Sequence, residues 1–181
     1  MRPLQMLRRL LTGIALVTVL VAVSWVSSSN VAAAVTTAAS RKAAPDYALV
    51  DSKGAPVRLS DYKGKVVLLD FWATWCTGCK VEIPWYMEFE TKYKDRGLVS
   101  IGVAMDDEGW TLVNPYLEQH PINYPIVIGV GDFAKLHGIT AMPVTLLIDR
   151  EGRIADSHVG VVVKSSWERE IRTLLQERAK K

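Results

Sequence analysis

The two cysteines of this 181-residue chain, Cys76 and Cys79, lie between a predicted buried strand and a predicted helix. The preceding run, Val66–Trp72, is apolar except for Asp70, which is typical of a central strand buried on both faces. From Thr77 onward, apolar residues recur about every four positions, as on one face of a helix. This succession predicts an α/β domain built around a mixed sheet.

Strands and helices continue to alternate along the chain, which supports the α/β class. The helix that begins at Thr77 is predicted to reach about Asp95 and to kink at Pro84. Its predicted inner face consists of Val81, Trp85, Phe89 and Tyr93. Further strands are predicted near Tyr47–Val50 and at Leu98–Met105, Tyr124–Ile128, Val144–Asp149 and Arg153–Val159. Further helices are predicted at Trp110–His120, from Asp132 to Gly138, and after Ser165 or Ser166.

Two cysteines separated by two residues at a helix start can close a disulfide across one turn. Cys76 would stand at the helix N-terminus, where free backbone N–H groups and the helix dipole stabilise a thiolate. Cys79, one turn further on, would be more enclosed. This asymmetry predicts thiol–disulfide exchange, in which Cys76 attacks a substrate disulfide and Cys79 resolves the mixed disulfide.

Three other interpretations of the cysteine pair stay open from the residues alone. A zinc site usually needs four ligands, and the chain has no second cysteine pair beside its three scattered histidines. A structural disulfide would close a very short loop and stabilise little. The pair could also be two buried thiols brought together by chance. We predict no metal site and regard the histidines as incidental.

The N-terminus has the pattern of an export signal. Three basic residues (Arg2, Arg8 and Arg9) precede the apolar run Leu10–Val26. We therefore predict a signal peptide or an N-terminal membrane anchor at 1–30, a flexible Ala-, Thr- and Ser-rich linker at 31–44, and the folded domain at 45–181. Cleavage and retention of the leader stay open. Either outcome places the domain outside the cytoplasm.

The charge distribution argues against a nucleic-acid partner. The first 44 residues contain five basic residues and no acidic ones. The remaining basic residues are interleaved with acidic ones and form no basic patch in the sequence. The basic character of the whole chain therefore belongs to its leader.

Several motifs together resemble the thioredoxin superfamily. Val66–Lys80 is similar to its active-site stretch, and the continuation Val81-Glu82-Ile83-Pro84 resembles the TlpA/ResA-like branch of exported thioredoxins. Gly138–Thr145 resembles the cis-proline segment, and Leu147–Ile154 the hairpin that follows it. The resemblance implies a thioredoxin-like fold, with a mixed central sheet flanked by helices. It also implies the helix–strand insertion typical of this branch, here from Glu108 to about Gly131.

The resemblance implies that Pro143 is in cis beside the disulfide, which would offer Met142 as a strand edge for a substrate peptide. Trp75, next to the nucleophile, is expected to contact substrate. Glu82 shares a helix face with Cys79 and is predicted to exchange a proton with it; the alternative is a solvated glutamate.

Asp70 is a second predicted proton acceptor for the inner thiol. Thioredoxin proper has an aspartate at this position, whereas the ResA-like branch more often has asparagine, so this chain departs from that branch. The alternative is an aspartate that points to solvent.

The function implied is disulfide exchange with exported proteins, with no cofactor beyond the redox-active disulfide. The resemblance suggests a reductant of apocytochrome c that receives electrons from a membrane thiol-reductant transporter, in the periplasm or on the outer face of a bacterial cytoplasmic membrane. The pair Thr77-Gly78 lacks the proline common before the second cysteine. The direction of electron flow between the protein and its substrate therefore stays open. Two alternatives are a copper chaperone that uses His158 and a thiol peroxidase.

Overall fold

The computed structural model of the chain describes residues 35–129 and 132–177. Seven strands form one sheet in the order β2-β1-β5-β4-β3-β6-β7. The strands are β1 (Leu49–Val50), β2 (Pro56–Val57), β3 (Val66–Trp72), β4 (Leu98–Ala104), β5 (Ile126–Gly129), β6 (Val144–Ile148) and β7 (Ile154–Val159). Strands β3, β4 and β5 are parallel, whereas β6 and β7 join antiparallel beside β3, so the sheet is mixed as predicted.

In the part of the chain that the structure describes, four α-helices accompany the sheet: α1 (Thr77–Tyr93), α2 (Trp110–Gln119), α3 (Phe133–Leu136) and α4 (Lys164–Gln176). Short 3-10 turns occur at Leu59–Tyr62 and Lys94–Arg96. Helix α2 and strand β5 are the predicted insertion, and β5 extends the sheet beside β4. Helix α4 begins at Lys164 without a side-chain cap, so the predicted serine cap is wrong.

None of the described helices is long and apolar enough to cross a membrane. The signal peptide or anchor predicted at 1–30 lies outside the residues that the structure describes.

Strand β3 runs through the centre of the domain, and all seven of its residues are buried. Successive side chains of a strand point to opposite faces. Val66 and Leu68 therefore pack on the face that carries α1 and α4, and Val67 and Leu69 pack on the opposite face. Asp70, two residues after Leu68, belongs to the face of α1 and α4.

The inner face of α1 agrees with the predicted one at Phe89 and Tyr93 and differs from it at Val81 and Trp85. Its buried residues are Cys79, Glu82, Ile83, Tyr86, Phe89 and Tyr93. Val81 is exposed and Trp85 only half-buried. An apolar pattern misses this face because the face includes a glutamate. The helix continues through Pro84 to Tyr93.

The segment before β1 packs along the β6–β7 hairpin. The N–H of Thr36 donates to the carbonyl of Ala155 at 3.0 Å, and Ala43 forms an isolated antiparallel bridge with Arg153. Residues 35–44 therefore lie against the domain, which differs from the flexible linker predicted at 31–44.

A buried arginine fixes this segment. The Arg41 guanidinium lies 3.1 Å from Asp149 Oδ2 and 2.6 Å from Glu177 Oε2. Small residues suit a linker, but they also allow close packing, and the ion pairs hold the backbone in place. The packed unit thus extends back to Val35, beyond the predicted boundary at Pro45.

Candidate active site

A disulfide joins Cys76 and Cys79 at the N-terminus of α1, close to the end of β3. Its sulfur atoms are 2.04 Å apart, and the two Cα atoms are 5.3 Å apart. Cys76 is the N-cap residue of α1, and its Sγ accepts a hydrogen bond from the N–H of Cys79 at 3.1 Å. Cys79 is fully buried, whereas Cys76 keeps a small exposed area. Cys76 is therefore the more exposed of the two cysteines.

Apolar side chains surround the disulfide. Trp75, directly before the first cysteine, is 64% exposed. Met142 packs against the cluster that contains both cysteines, and the Met142–Pro143 bond is cis, which confirms that prediction. Gly78 lies against this loop, because a Cβ built on it would be 3.1 Å from Pro143 Cδ and 3.0 Å from Val161 Cγ2. The turn between the cysteines thus borders the cis-proline loop.

Asp70 is a buried carboxyl group on the same face of the sheet as α1. Neither of its oxygens has a hydrogen-bond partner among the residues that the structure describes. Burial raises the pKa of Asp70 well above its usual value of 3.8, the charge of Glu82 adds to the rise, and the Thr145 hydroxyl offsets part of it. The alternative of a solvent-facing aspartate is therefore wrong. This carboxyl can hold a proton at pH values where an exposed aspartate is ionised.

Glu82 is a second buried carboxyl group, three residues after Cys79 on α1. Its Oε1 accepts hydrogen bonds from the N–H of Val162 at 3.0 Å and from Nε1–H of Trp167 at 3.1 Å. Its Oε2 has no partner within the described part of the chain. The alternative of a solvated glutamate is therefore wrong, and α4 holds the side chain from the opposite side.

Two hydroxyl groups complete this polar cluster. Thr145 lies opposite Asp70 in the β3–β6 register, and its Oγ1 shares a 3.0 Å hydrogen bond with Tyr86 Oη. Burial raises the pKa of Tyr86, and the charges of Asp70 and Glu82 add to the rise. The phenol therefore stays neutral beside the two acids.

Asp106 fixes the loop that leads to the cysteines. Its carboxylate accepts hydrogen bonds from the N–H of Thr74 at 3.1 and 3.2 Å and from the Thr74 hydroxyl at 2.6 Å. We did not predict this residue. Its position two residues after the end of β4 could have indicated it, because the carboxyl ends of parallel strands meet at one edge of the sheet.

The comparisons with known proteins agree with this geometry. The model of the Redoxin family matches residues 37–175. The chain belongs to this family. The thiol-disulfide oxidoreductase ResA of Bacillus thuringiensis subsp. konkukian is 33% identical over 128 residues, which cover 70% of this chain and 73% of that protein. ResA of Geobacillus kaustophilus is 32% identical over 160 residues, which cover 88% and 91%.

Solved structures of this kind share the fold. A Chlorobium tepidum structure assigned as a thiol:disulfide interchange protein DsbE is 36% identical, with a TM-score of 0.69, and the match covers 75% of this chain and 96% of that one. Within the Redoxin family, these similarities support the predicted TlpA/ResA-like branch of the thioredoxin superfamily.

The residues predicted for the site fall into one region, but His158 does not join them. One apolar cluster contains Cys76 and Cys79, and Met142 and Pro143 lie against it. Asp70 and Glu82 are buried where the sheet packs against α1. His158 instead contacts Asp156 and Glu170. Sequence reasoning also missed Trp167 as a partner of Glu82. No local signal marks it, because the two residues are 85 positions apart.

Proposed function

We propose that this Redoxin-family protein exchanges disulfides with exported proteins through the Cys76–Cys79 couple, and that it acts as a reductant. The disulfide itself carries the proposal, since it joins the more exposed cysteine, at a helix N-terminus, to a fully buried one. The oxidoreductase class follows from the family and from relatives named thiol-disulfide oxidoreductases.

The proposed exchange begins from the reduced dithiol. The Cys76 thiolate attacks one sulfur of a substrate disulfide, forms a mixed disulfide and releases the other sulfur as a thiolate. The Cys79 thiolate then attacks Cys76 Sγ, which closes the disulfide seen here and releases the second substrate thiolate. Two electrons pass to the substrate, and the cysteine pair is oxidised. The N-terminal N–H groups of α1 favour the first thiolate.

Cys79 must lose its proton before it attacks, and two carboxylates are candidates to accept it. Asp70 has a pKa raised by burial, and its oxygens have no hydrogen-bond partner among the described residues. Glu82 shares the inner face of α1 with Cys79 and has one similarly unpartnered oxygen. We infer that these acids take up the proton as the inner thiolate forms.

The substrate is proposed to bind across Trp75, Met142 and Pro143. An exposed tryptophan beside a reactive sulfur offers apolar contact to a protein substrate. The backbone of Met142 forms no hydrogen bond with the described part of the chain, so it is available to pair with an extended peptide.

Location and partners rest on the leader and on the resemblance. The basic and apolar pattern at 1–30 supports export to the periplasm or to the outer face of a bacterial cytoplasmic membrane, with membrane attachment if the leader is retained. Apocytochrome c is the proposed substrate class, and a membrane thiol-reductant transporter is the proposed electron donor.

The copper-chaperone alternative lacks support in the geometry. Within the described residues, the one group of potential metal ligands contains His158 but neither cysteine.

Cysteine variants of the full-length chain test the exchange. We expect Cys76→Ser to lower the reduction of insulin disulfides to the uncatalysed rate. We expect Cys79→Ser to accumulate a mixed disulfide, visible by non-reducing electrophoresis, because the first attack proceeds and the second does not. Thr77→Ser, which retains both thiols, serves as the matched control. Full activity in both cysteine variants would contradict the mechanism.

The reduction potential of the Cys76–Cys79 couple tests whether the protein acts as a reductant. Equilibration of the full-length chain with thiol redox buffers should give a potential nearer the roughly −270 mV of thioredoxin than the roughly −120 mV of the oxidant DsbA. A value near that of DsbA would overturn the reductant assignment and leave the exchange chemistry intact.

A further inference from the structure

We propose that Asp156, His158 and Glu170 bind one divalent transition-metal ion, with Zn²⁺ as the expected occupant. The site lies between β7 and α4 and includes neither cysteine. It does not depend on the proposed redox function.

The three side chains converge from two elements. Asp156 and His158 are two positions apart on β7, so they project from the same face of the strand. His158 Nε2 lies 3.2 Å from Asp156 Oδ2 and 3.4 Å from Glu170 Oε2. All three ligand atoms lie within 4.8 Å of one another. A single ion can therefore reach one atom of each residue after small side-chain movements.

Glu170 is the residue that points to a cation-binding site. Its side chain is only 1% exposed, and its Oε1 has no hydrogen-bond partner in the described residues. No lysine or arginine of residues 35–129 and 132–177 forms an ion pair with Glu170 or Asp156. Two carboxylates thus share a single imidazole.

The ligand types indicate the metal. One imidazole nitrogen and two carboxylate oxygens are ligands that Zn²⁺ accepts, and three protein ligands leave a position for water. A divalent ion would neutralise both carboxylates, whereas a protonated His158 would neutralise one. Mg²⁺ and Ca²⁺ prefer ligand sets made entirely of oxygen, so we expect them to bind weakly. His158 is 20% exposed, which gives an ion access from solvent.

A single side chain, Trp167, connects the proposed metal site with Glu82 of the proposed redox centre. The His158 ring packs edge-on against Trp167 with centroids 4.6 Å apart, and Trp167 donates its hydrogen bond to Glu82. A bound ion would fix the imidazole on which this tryptophan packs.

Calorimetric titration of the oxidised full-length chain with ZnCl₂ tests the site. The disulfide keeps both cysteines from binding metal, so any bound Zn²⁺ must use other ligands. We expect one Zn²⁺ per chain, a higher melting temperature with Zn²⁺ than without, and little heat from MgCl₂. His158→Gln and Glu170→Gln should each weaken binding at least ~10-fold.

Two further variants keep the result interpretable. Asp156→Asn changes a half-buried ligand, so it serves if the buried Glu170→Gln variant fails to fold. His120→Gln removes an exposed histidine at the C-cap of α2 and should leave binding unchanged. The proposal is overturned if the oxidised wild type binds no Zn²⁺, or if His158→Gln and Asp156→Asn both bind it as tightly as the wild type.

Discussion

Asp70 is ionisable, buried and without a hydrogen-bond partner among the described residues, so its charged form is costly. We expect Asp70→Asn to stabilise the oxidised full-length chain at pH 8 by at least about 1 kcal/mol, because the variant has no charge to bury. Urea unfolding followed by circular dichroism measures the difference.

The gain from Asp70→Asn should depend on pH in a defined direction. Burial raises the pKa of Asp70 in the folded chain above its unfolded value. Below the unfolded value, both states hold the proton and the residue contributes no pH dependence. As the pH rises above it, the unfolded chain loses the proton first, so wild-type stability falls until the folded pKa is passed. The stability advantage of Asp70→Asn over the wild type should therefore be small at pH 4 and largest at pH 8.

Asp95→Asn, which changes an exposed carboxyl group, is the matched control and should show no such trend. An advantage of Asp70→Asn that is equal at pH 4 and pH 8 would contradict the assigned cause.

At the residue scale, sequence predicts the groups that break a local pattern. Asp70 interrupts an apolar strand, and Glu82 stands one turn from a cysteine, so both could be predicted. The position of Asp106 after a predicted strand is a signal, but its partner Thr74 lies 32 positions away, and no local signal marks Trp167, which lies 85 positions from Glu82. Only the folded chain brings those partners together.

At the scale of elements, length decides what can be predicted. Strand β3 was predicted to the residue, because seven buried positions leave a continuous apolar run. Strand β2 was missed, since its two residues carry no periodicity. The predicted inner face of α1 is right at Phe89 and Tyr93 but wrong at Val81 and Trp85, because the buried stripe includes Glu82, which is part of the candidate active site. A charged residue on a buried helix face can thus obscure the apolar pattern from which that face is predicted.

At the scale of the whole molecule, composition misassigned the segment at 35–44. Ala, Thr and Ser suit a linker, yet Arg41 binds Asp149 and Glu177, which lie 108 and 136 positions further along the chain. One buried side chain therefore joins the N-terminal segment, the β6–β7 hairpin and the end of α4. Sequence alone predicts a mixed sheet, but it does not reveal ion pairs between residues that are distant along the chain.

The ion pairs of Arg41 predict a large loss of stability from a single substitution. Breaking a buried ion pair costs about 3–5 kcal/mol when the remaining charge is left uncompensated. Asp149 keeps a second partner, Arg153, at 2.8 Å, so we expect Arg41→Ala to cost about 2 kcal/mol. Urea unfolding of the full-length chain measures it. Arg41→Lys should restore only part of the loss, because an ammonium group cannot bind both carboxylates in the same planar geometry.

Lys42→Ala, at the neighbouring exposed position, controls for the loss of positive charge and should change stability by less than about 0.5 kcal/mol. If residues 35–44 act as a flexible linker in solution, Arg41→Ala and Lys42→Ala will have equally small effects. A large difference between them requires that the segment is packed, since the two variants remove the same charge one residue apart. The accessible length of any tether to a membrane would then be counted from Val35, ten residues before the boundary that composition predicts.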